Sequence, residues 1–313
     1  MHEEVTIPEL TVVVARLAAL LGKREGAVVQ LKGGITNRNF RVNFGGTDYV
    51  VRLPGKKTNV LGIDREAERA AAKAAAGLDI APPVAAMLED PPCLVTSFVA
   101  GRLPSAEELR APAFLEAVGR NLRAFHDSGA ELPTGFDTVA LADDYARIAA
   151  EHGIEPPAEF AEARRRAEAI KKTVAKHPEH APVSCHNDLL TANFILDEGD
   201  VLRIIDWEYA GMGDRWFDLG NLAVNNGLDE RSEELLLEAY LGEPPDAGQL
   251  ATLRLMRFMS DLRESMWGVV QGAVSEVEFD FEGYAGDHFT RMRETGDHPD
   301  FDRWLKEARG ARS

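Results

Sequence analysis

Apolar and polar positions divide the chain into a strand-rich first third and a helical remainder. The first helix is predicted over 8–21, where Leu10, Val13, Leu17 and Leu21 recur at helical spacing behind Pro8. Short segments rich in β-forming residues follow at 27–31, 39–44 and 48–53, with a Gly-Gly turn at 45–46. An Ala-rich helix over 64–76 and strands at 84–88 and 94–99 complete this part.

After residue 100 the periodicity becomes helical, with one interruption. Ser105 and Glu108 have the spacing of a capping box, and helices are predicted over 114–126 and 158–174. The interruption is a predicted β-hairpin, 194–196 and 201–205, joined by a polar loop at 197–200. The pattern therefore predicts an α+β fold with two lobes: a small antiparallel-sheet lobe, 1–98, and a larger helical lobe, 99–313, with an embedded hairpin.

The charge of the chain is acidic and unevenly distributed. The 313 residues carry 35 bases and 52 acids, a formal net charge of −17, which argues against a nucleic-acid partner. Residues 1–100 hold 12 bases and 11 acids, so the remainder carries the whole excess. A solvated acidic surface is one explanation of this excess. The more specific explanation is that the second lobe binds a cationic ligand.

The chain has no sequence signature of secretion or of a membrane anchor. The N-terminal residues lack a basic segment followed by an apolar one, and no apolar run approaches the length of a membrane span. Cys93 and Cys185 are too few for a disulfide framework. These features predict a cytoplasmic protein; the oligomeric state is left open.

One constellation in the second lobe points to phosphoryl transfer. His186, Asp188 and Asn193 form the pattern HxDxxxxN, which composition alone would produce about 0.02 times in this chain. Asp206 follows thirteen residues after Asn193, at the end of the predicted hairpin. Protein kinases use the same set. Asp188 is the candidate catalytic base, and Asn193 and Asp206 are candidate Mg²⁺ ligands, because this metal prefers hard oxygen donors.

The first lobe supplies candidate groups for a nucleotide. A turn between the first two strands contains residues whose backbone N–H groups are suited to phosphates, namely Gly33, Gly34, Thr36, Asn37 and Asn39. Arg52 lies on the third strand, where a kinase carries its phosphate-binding lysine. Glu68 on the next helix is its expected partner, with Glu66 as the alternative.

Taken together, these residues resemble the choline/ethanolamine kinase family, within the wider aminoglycoside-phosphotransferase-like kinases. The resemblance covers most of the chain and is weak only over 130–180. It is strongest in 33–40, in 185–196 and in 205–211, continuing to Asp214 and 217–221. It continues late in the chain, in 266–271 and 279–284. The Asn that follows His186 in the motif, where protein kinases have Arg, favours a small-molecule kinase.

The resemblance implies a protein-kinase-like fold that uses ATP and Mg²⁺ to phosphorylate a small alcohol. Adenine would lie at the crossover near Thr96 and Phe98. Asp218 would be a buried brace near the catalytic loop, which His186 would help to shape.

The resemblance also implies a cationic alcohol such as choline or ethanolamine. Trp267 is the best candidate for an aromatic contact, and Glu208 and Glu264 are candidates for the substrate's charge. Eukaryotic choline kinases carry an acid and an aromatic residue after the segment matching 217–221, and a second Trp where Arg263 or Glu264 stands here. The expected aromatic cage is therefore incomplete. A kinase for an aminoglycoside, another antibiotic or a sugar, and a nucleotide-binding pseudokinase, remain the alternatives.

Overall fold

The computed structural model describes residues 7–31, 36–55, 58–175 and 177–310. Its α-helices are α1 Pro8–Leu21, α2 Arg65–Gly77, α3 Pro112–His126, α4 Thr138–Glu151, α5 Phe160–Val174, α6 Arg215–Asn225, α7 Glu230–Leu241, α8 Ala247–Val274, α9 Phe281–Gly296 and α10 Phe301–Glu307. Its strands are β1 Arg24–Gln30, β2 Asn37–Phe44, β3 Thr47–Pro54, β4 Val84–Glu89, β5 Pro92–Ser97, β6 Gly101–Arg102, β7 Val183–Cys185, β8 Phe194–Asp197, β9 Leu202–Ile204 and β10 Gly211–Gly213.

The first lobe is built on an antiparallel five-stranded sheet in the order β1-β2-β3-β5-β4. Strands β2 and β3 are joined by Gly45 and Gly46 at φ 58° and 82°, as a two-residue hairpin turn requires. The apolar face of α1, with Leu10, Val13 and Leu17, is buried in the same core as the inner face of this sheet. The predicted helix and hairpin are thus confirmed.

Helix α2 places an acidic side chain behind the sheet. Asp64 caps its N-terminus, its Oδ1 accepting the backbone N–H groups of Glu66 and Ala67 at 2.9 Å each. Small alanines on one face let the helix pack closely, and Glu68 lies on that buried face with 3% of its surface exposed. Glu68 is therefore turned toward β3, and the alternative, Glu66, is exposed.

The second lobe is organised around α8, a 28-residue helix buried along most of its length. Helix α6 approaches it at Gly220, where a Cβ atom would lie 2.5 Å from the backbone carbonyl carbon of Met256. Only glycine allows this approach, which lets Asn221 donate from Nδ2 to Ser260 Oγ at 2.9 Å. The close contact fixes the position of α6, and with it the brace of the site described below.

The embedded hairpin predicted from the sequence is present as β8 and β9, and β6 joins its edge. The three-residue strands β7 and β10 form a separate antiparallel pair that the periodicity did not reveal. The capping-box contacts of Ser105 and Glu108 are made, but they close a single 3₁₀ turn, and α3 begins only at Pro112.

The fold class is confirmed: an antiparallel sheet lobe precedes a mainly helical lobe that carries the hairpin. The domain boundary between residues 98 and 99 stays a prediction. Among the described residues, none of the helices has both the length and the apolar composition of a membrane span.

Candidate active site

The loop between β7 and β8 carries the HxDxxxxN residues and is held by Asp218 of α6. The Asp218 carboxylate accepts the backbone N–H groups of His186 at 2.8 Å and Asn187 at 2.7 Å, and Nε2 of His126 lies 2.9 Å from it. Asn187 is held at φ 65°, a conformation that a residue other than glycine seldom adopts. Asp218 therefore stabilises an unfavourable backbone turn directly before Asp188.

His186 shapes this loop through both of its ring nitrogens. Nδ1 accepts the backbone N–H of Asp188 at 3.2 Å, so Nε2 carries the proton and donates to the carbonyl of Ile205 at 3.0 Å. Burial lowers the pKa of His186 and favours this neutral form. The imidazole links the catalytic loop to the segment preceding Asp206, which fits the shaping role implied by the resemblance.

The contacts of Asp218 predict a loss of both stability and activity when its carboxylate is removed. Because Asp218→Ala leaves buried N–H donors without an acceptor, we expect the free energy of unfolding to fall by about 3–4 kcal/mol in urea titrations. The turnover number should fall as well, since Asn187 loses its support. Asp246→Ala, which removes a helix cap of α8 away from the loop, should cost only about 1 kcal/mol and leave turnover unchanged. Equal losses of stability in the two variants would contradict the bracing role.

Asp188, the candidate base, is buried and contacted on both oxygens. Oδ1 accepts Nη1 of Arg263 at 3.1 Å, and Oδ2 accepts Nδ2 of Asn193 at 3.1 Å. Burial raises the pKa of Asp188 to about 7, although the charge of Arg263 opposes the rise. A carboxylate with a pKa near neutrality is suited to accept a proton during a reaction at physiological pH.

Asn193 and Asp206 have the donor chemistry of a magnesium site. Nδ2 of Asn193 faces Asp188, donating also to its carbonyl at 2.7 Å, so the amide oxygen is turned away from that carboxylate. The Asp206 side chain is 17% exposed, and its backbone has φ 65°. A carboxylate and an amide oxygen on neighbouring loops fit the oxygen preference of Mg²⁺.

Arg52 of β3 connects Asp206 with the first lobe. Its Nη1 donates to Asp206 Oδ1 at 2.6 Å and to Glu68 Oε1 at 3.1 Å, the pairing expected from their order along the chain. Burial alone would lower the pKa of Arg52, but Asp206 and Glu68 raise it above its usual range. A permanently charged guanidinium at the mouth of the site is suited to a phosphate chain.

A cleft lies beside Arg52 and, with the space that is open to solvent, has a volume of about 850 Å³. It is lined by residues of both lobes, namely Leu31, Asn39, Val50, Arg52, Ala72, Ala81, Pro82, Leu94, Thr96, Ser97, Phe98, Val99, Ile195, Ile205, Asp206 and Trp207. The predicted cofactor residues Asn39, Thr96 and Phe98 are among them. The apolar walls suit a planar base, and Arg52 and Asp206 mark the polar end.

The loop residues predicted to meet phosphates are only partly described. Gly33 and Gly34 lie outside the described residues. Thr36 and Asn37 both donate to the buried carboxylate of Glu208, Asn37 at 2.8 Å, and Arg65 lies 3.5 Å from it. Burial, followed by the charge of Asp206, raises the pKa of Glu208 to about 8. Glu208 thus joins the base of this loop to the second lobe, and its role toward the substrate stays a prediction.

Glu264 and Trp267, the other predicted substrate residues, are packed within the second lobe. Glu264 is 1% exposed and accepts Arg263 Nη1 at 2.7 Å and Tyr284 OH at 2.8 Å. Burial opposes its ionisation, but Arg263 and His288 hold the pKa of Glu264 below its usual range. The role predicted for Glu264 toward the charge of a substrate stays a prediction.

Trp267 Nε1 donates to Tyr209 OH at 2.8 Å, and the indole packs against Phe281 and Tyr284. The sequence alone assigns no role in the site to Arg263, Tyr209 or Tyr284. Arg263 and Trp267 are four positions apart in a helix and therefore lie near one face of it. This spacing is the signal by which the sequence could have indicated Arg263 as a site residue.

The fold and these residues define a phosphotransferase. Arg52 and Asp206 lie at the polar end of a cleft between two lobes, and His186 of the catalytic loop is bonded to Ile205, directly before Asp206. The model of the phosphotransferase enzyme family matches residues 27–253, and the chain belongs to this family.

The individual relatives include proteins named as choline or ethanolamine kinases. A crystal structure of a choline/ethanolamine kinase family protein from Mesorhizobium loti is 32% identical, covers 96% of this chain and 99% of its own, and superposes with a TM-score of 0.82. A probable ethanolamine kinase from Arabidopsis thaliana is 27% identical over 290 residues, 82% of this chain and 76% of its own. The protein LicA of Haemophilus influenzae is 28% identical over 224 residues, 67% of this chain, and the match spans 62% of LicA.

Proposed function

We propose that this phosphotransferase is an ATP- and Mg²⁺-dependent kinase that transfers the γ-phosphate to the hydroxyl of a small amino alcohol such as ethanolamine or choline. The observation that carries the proposal is the connected arrangement of four side chains beside the cleft. Arg52 and Asp206 pair at its polar end. Asn193, which contacts Asp188, has its carbonyl bonded to the backbone N–H of Ile205, directly before Asp206. The similarity to choline and ethanolamine kinases supports the acceptor class.

The mechanism assigns a separate task to each side chain. Asp188 orients the acceptor hydroxyl and accepts its proton as the oxygen attacks the γ-phosphorus and ADP departs. Arg52 binds the phosphate chain, and Glu68 fixes the position of its guanidinium. Asn193 and Asp206 would hold Mg²⁺, which neutralises phosphate charge when it is bound. The apolar walls of the cleft hold the base and exclude water.

An ADP-release assay with a panel of acceptors tests the proposal. We expect Mg·ATP turnover to be stimulated by ethanolamine or choline and not by kanamycin or glucose. Stimulation by kanamycin or glucose alone would replace the proposed acceptor class. Nucleotide binding without stimulation by any hydroxyl compound would indicate a pseudokinase.

A further inference from the structure

The aromatic and acidic groups beside Asp188 surround the side chain of Arg263. The guanidinium carbon of Arg263 lies 4.2 Å from the centroid of the Tyr209 ring, a cation–π contact. Its Nη1 lies between Asp188 Oδ1 at 3.1 Å and Glu264 Oε1 at 2.7 Å. The side chain is 1% exposed. An aromatic face with two carboxylates thus encloses this cation.

Further aromatic residues hold these groups in place. Trp267 Nε1 donates to the Tyr209 hydroxyl at 2.8 Å, and the Trp267 and Tyr284 rings meet edge to face at 5.4 Å. The Tyr284 hydroxyl donates to Glu264 Oε2 at 2.8 Å. Aromatic faces and nearby carboxylates are the chemistry that recognises an alkylammonium group. We call the group Asp188, Tyr209, Glu264, Trp267 and Tyr284 the ammonium box.

The box suits a guanidinium imperfectly. Nε and Nη2 of Arg263 are buried without a hydrogen-bond partner, so only Nη1 finds acceptors. Buried donors without acceptors are costly. A quaternary ammonium carries no N–H group, so the same walls would leave no donor unsatisfied. The quaternary ammonium needs the face of the Tyr209 ring, which Arg263 covers. A second cation placed next to the guanidinium would also be repelled by it.

We propose that Arg263 is a specificity-determining residue that fills the ammonium box and thereby disfavours quaternary ammonium alcohols relative to primary amino alcohols. A primary ammonium is smaller and donates hydrogen bonds, so carboxylate oxygens at the edge of the box can hold it without displacing the guanidinium from Tyr209. The inference rests on the proposed function, because it names which amino alcohol the site prefers.

The kinetic test compares ethanolamine with choline. We expect the ratio of kcat/KM for ethanolamine to that for choline to exceed one in the wild type. In Arg263→Gln and Arg263→Met this ratio should fall by about tenfold or more, with the kcat/KM for choline rising in absolute terms. Arg263→Lys keeps the positive charge and should keep the preference for ethanolamine. Arg257→Met removes another arginine of α8, one paired with Glu233 outside the site, and should leave the ratio unchanged.

A binding measurement separates this inference from the proposed function. Tetramethylammonium, which has no hydroxyl, should bind Arg263→Gln with a Kd about tenfold or more below that for the wild type, read out by calorimetry and tryptophan fluorescence. Equal affinity for the two proteins, or an unchanged ethanolamine-to-choline ratio in both folded neutral variants, would overturn the role of Arg263. If the wild type turns over neither alcohol, the proposed function fails, and the tetramethylammonium result still decides whether Arg263 fills an ammonium box.

Discussion

Asp188→Asn is expected to lower kcat by about 10³-fold, the usual contribution of a positioned general base. The substitution keeps the shape of the side chain but removes the carboxylate that would accept the hydroxyl proton. Arg263 retains Glu264 as a partner at 2.7 Å, so no buried cation is left unpaired. The loss should therefore appear in the chemical step rather than in folding, and single-turnover measurements of phosphoryl transfer would detect it.

Nucleotide binding provides the internal control for this variant. The cleft beside Arg52 does not include Asp188 among its lining residues, so the Kd for ATP measured by calorimetry should stay within about threefold. Asp143→Asn is the matched control, because Asp143 also pairs with an arginine, Arg164 at 2.6 and 2.8 Å, on the surface. Its turnover should equal that of the wild type. A kcat for Asp188→Asn within tenfold of the wild type would remove Asp188 from the role of base.

Local patterns made much of the fold predictable from the sequence. The apolar spacing of α1, the glycine turn between β2 and β3, and the polar loop between β8 and β9 are each determined by residues close in the chain. The HxDxxxxN motif is equally local. Strands β7 and β10 are three residues long and are not adjacent in the chain, since Cys185 pairs with Gly211, so no local turn signal marks them as a pair.

The candidate site was less predictable because its contacts join distant segments. Arg263 meets Asp188 across 75 positions, and Asn37 meets Glu208 across 171. Neighbours such as Arg263 and Glu264 point about 100° apart on a helix, so their sequence alone does not imply that they pair. It is the length of the arginine side chain that brings Nη1 between two carboxylates. The contacts of Glu264 with Arg263 and Tyr284 are likewise not evident from the sequence, and its role toward the charge of a substrate stays a prediction.

Asp206→Asn is expected to reduce kcat/KM for Mg·ATP by about 100-fold or more. Residues that merely support a metal ligand typically contribute 10–100-fold to metal affinity or activity, so loss of a direct carboxylate ligand should cost at least as much. The deficit should shrink as Mg²⁺ is raised at fixed ATP, because weaker metal binding is compensated by mass action. A titration of activity against Mg²⁺ concentration measures this shift.

The contacts of Asp206 also predict what this substitution leaves intact. Arg52 keeps Glu68 at 3.1 Å, so the guanidinium stays in place and ATP binding measured with EDTA should change little. Asp200→Asn, at an 80% exposed aspartate in the loop of the same hairpin, is the matched control and should titrate with Mg²⁺ as the wild type does. If Asp206→Asn lost ATP binding equally with and without Mg²⁺, the side chain would act through Arg52 rather than as a metal ligand. That outcome would transfer the metal-binding role to other oxygens of the site.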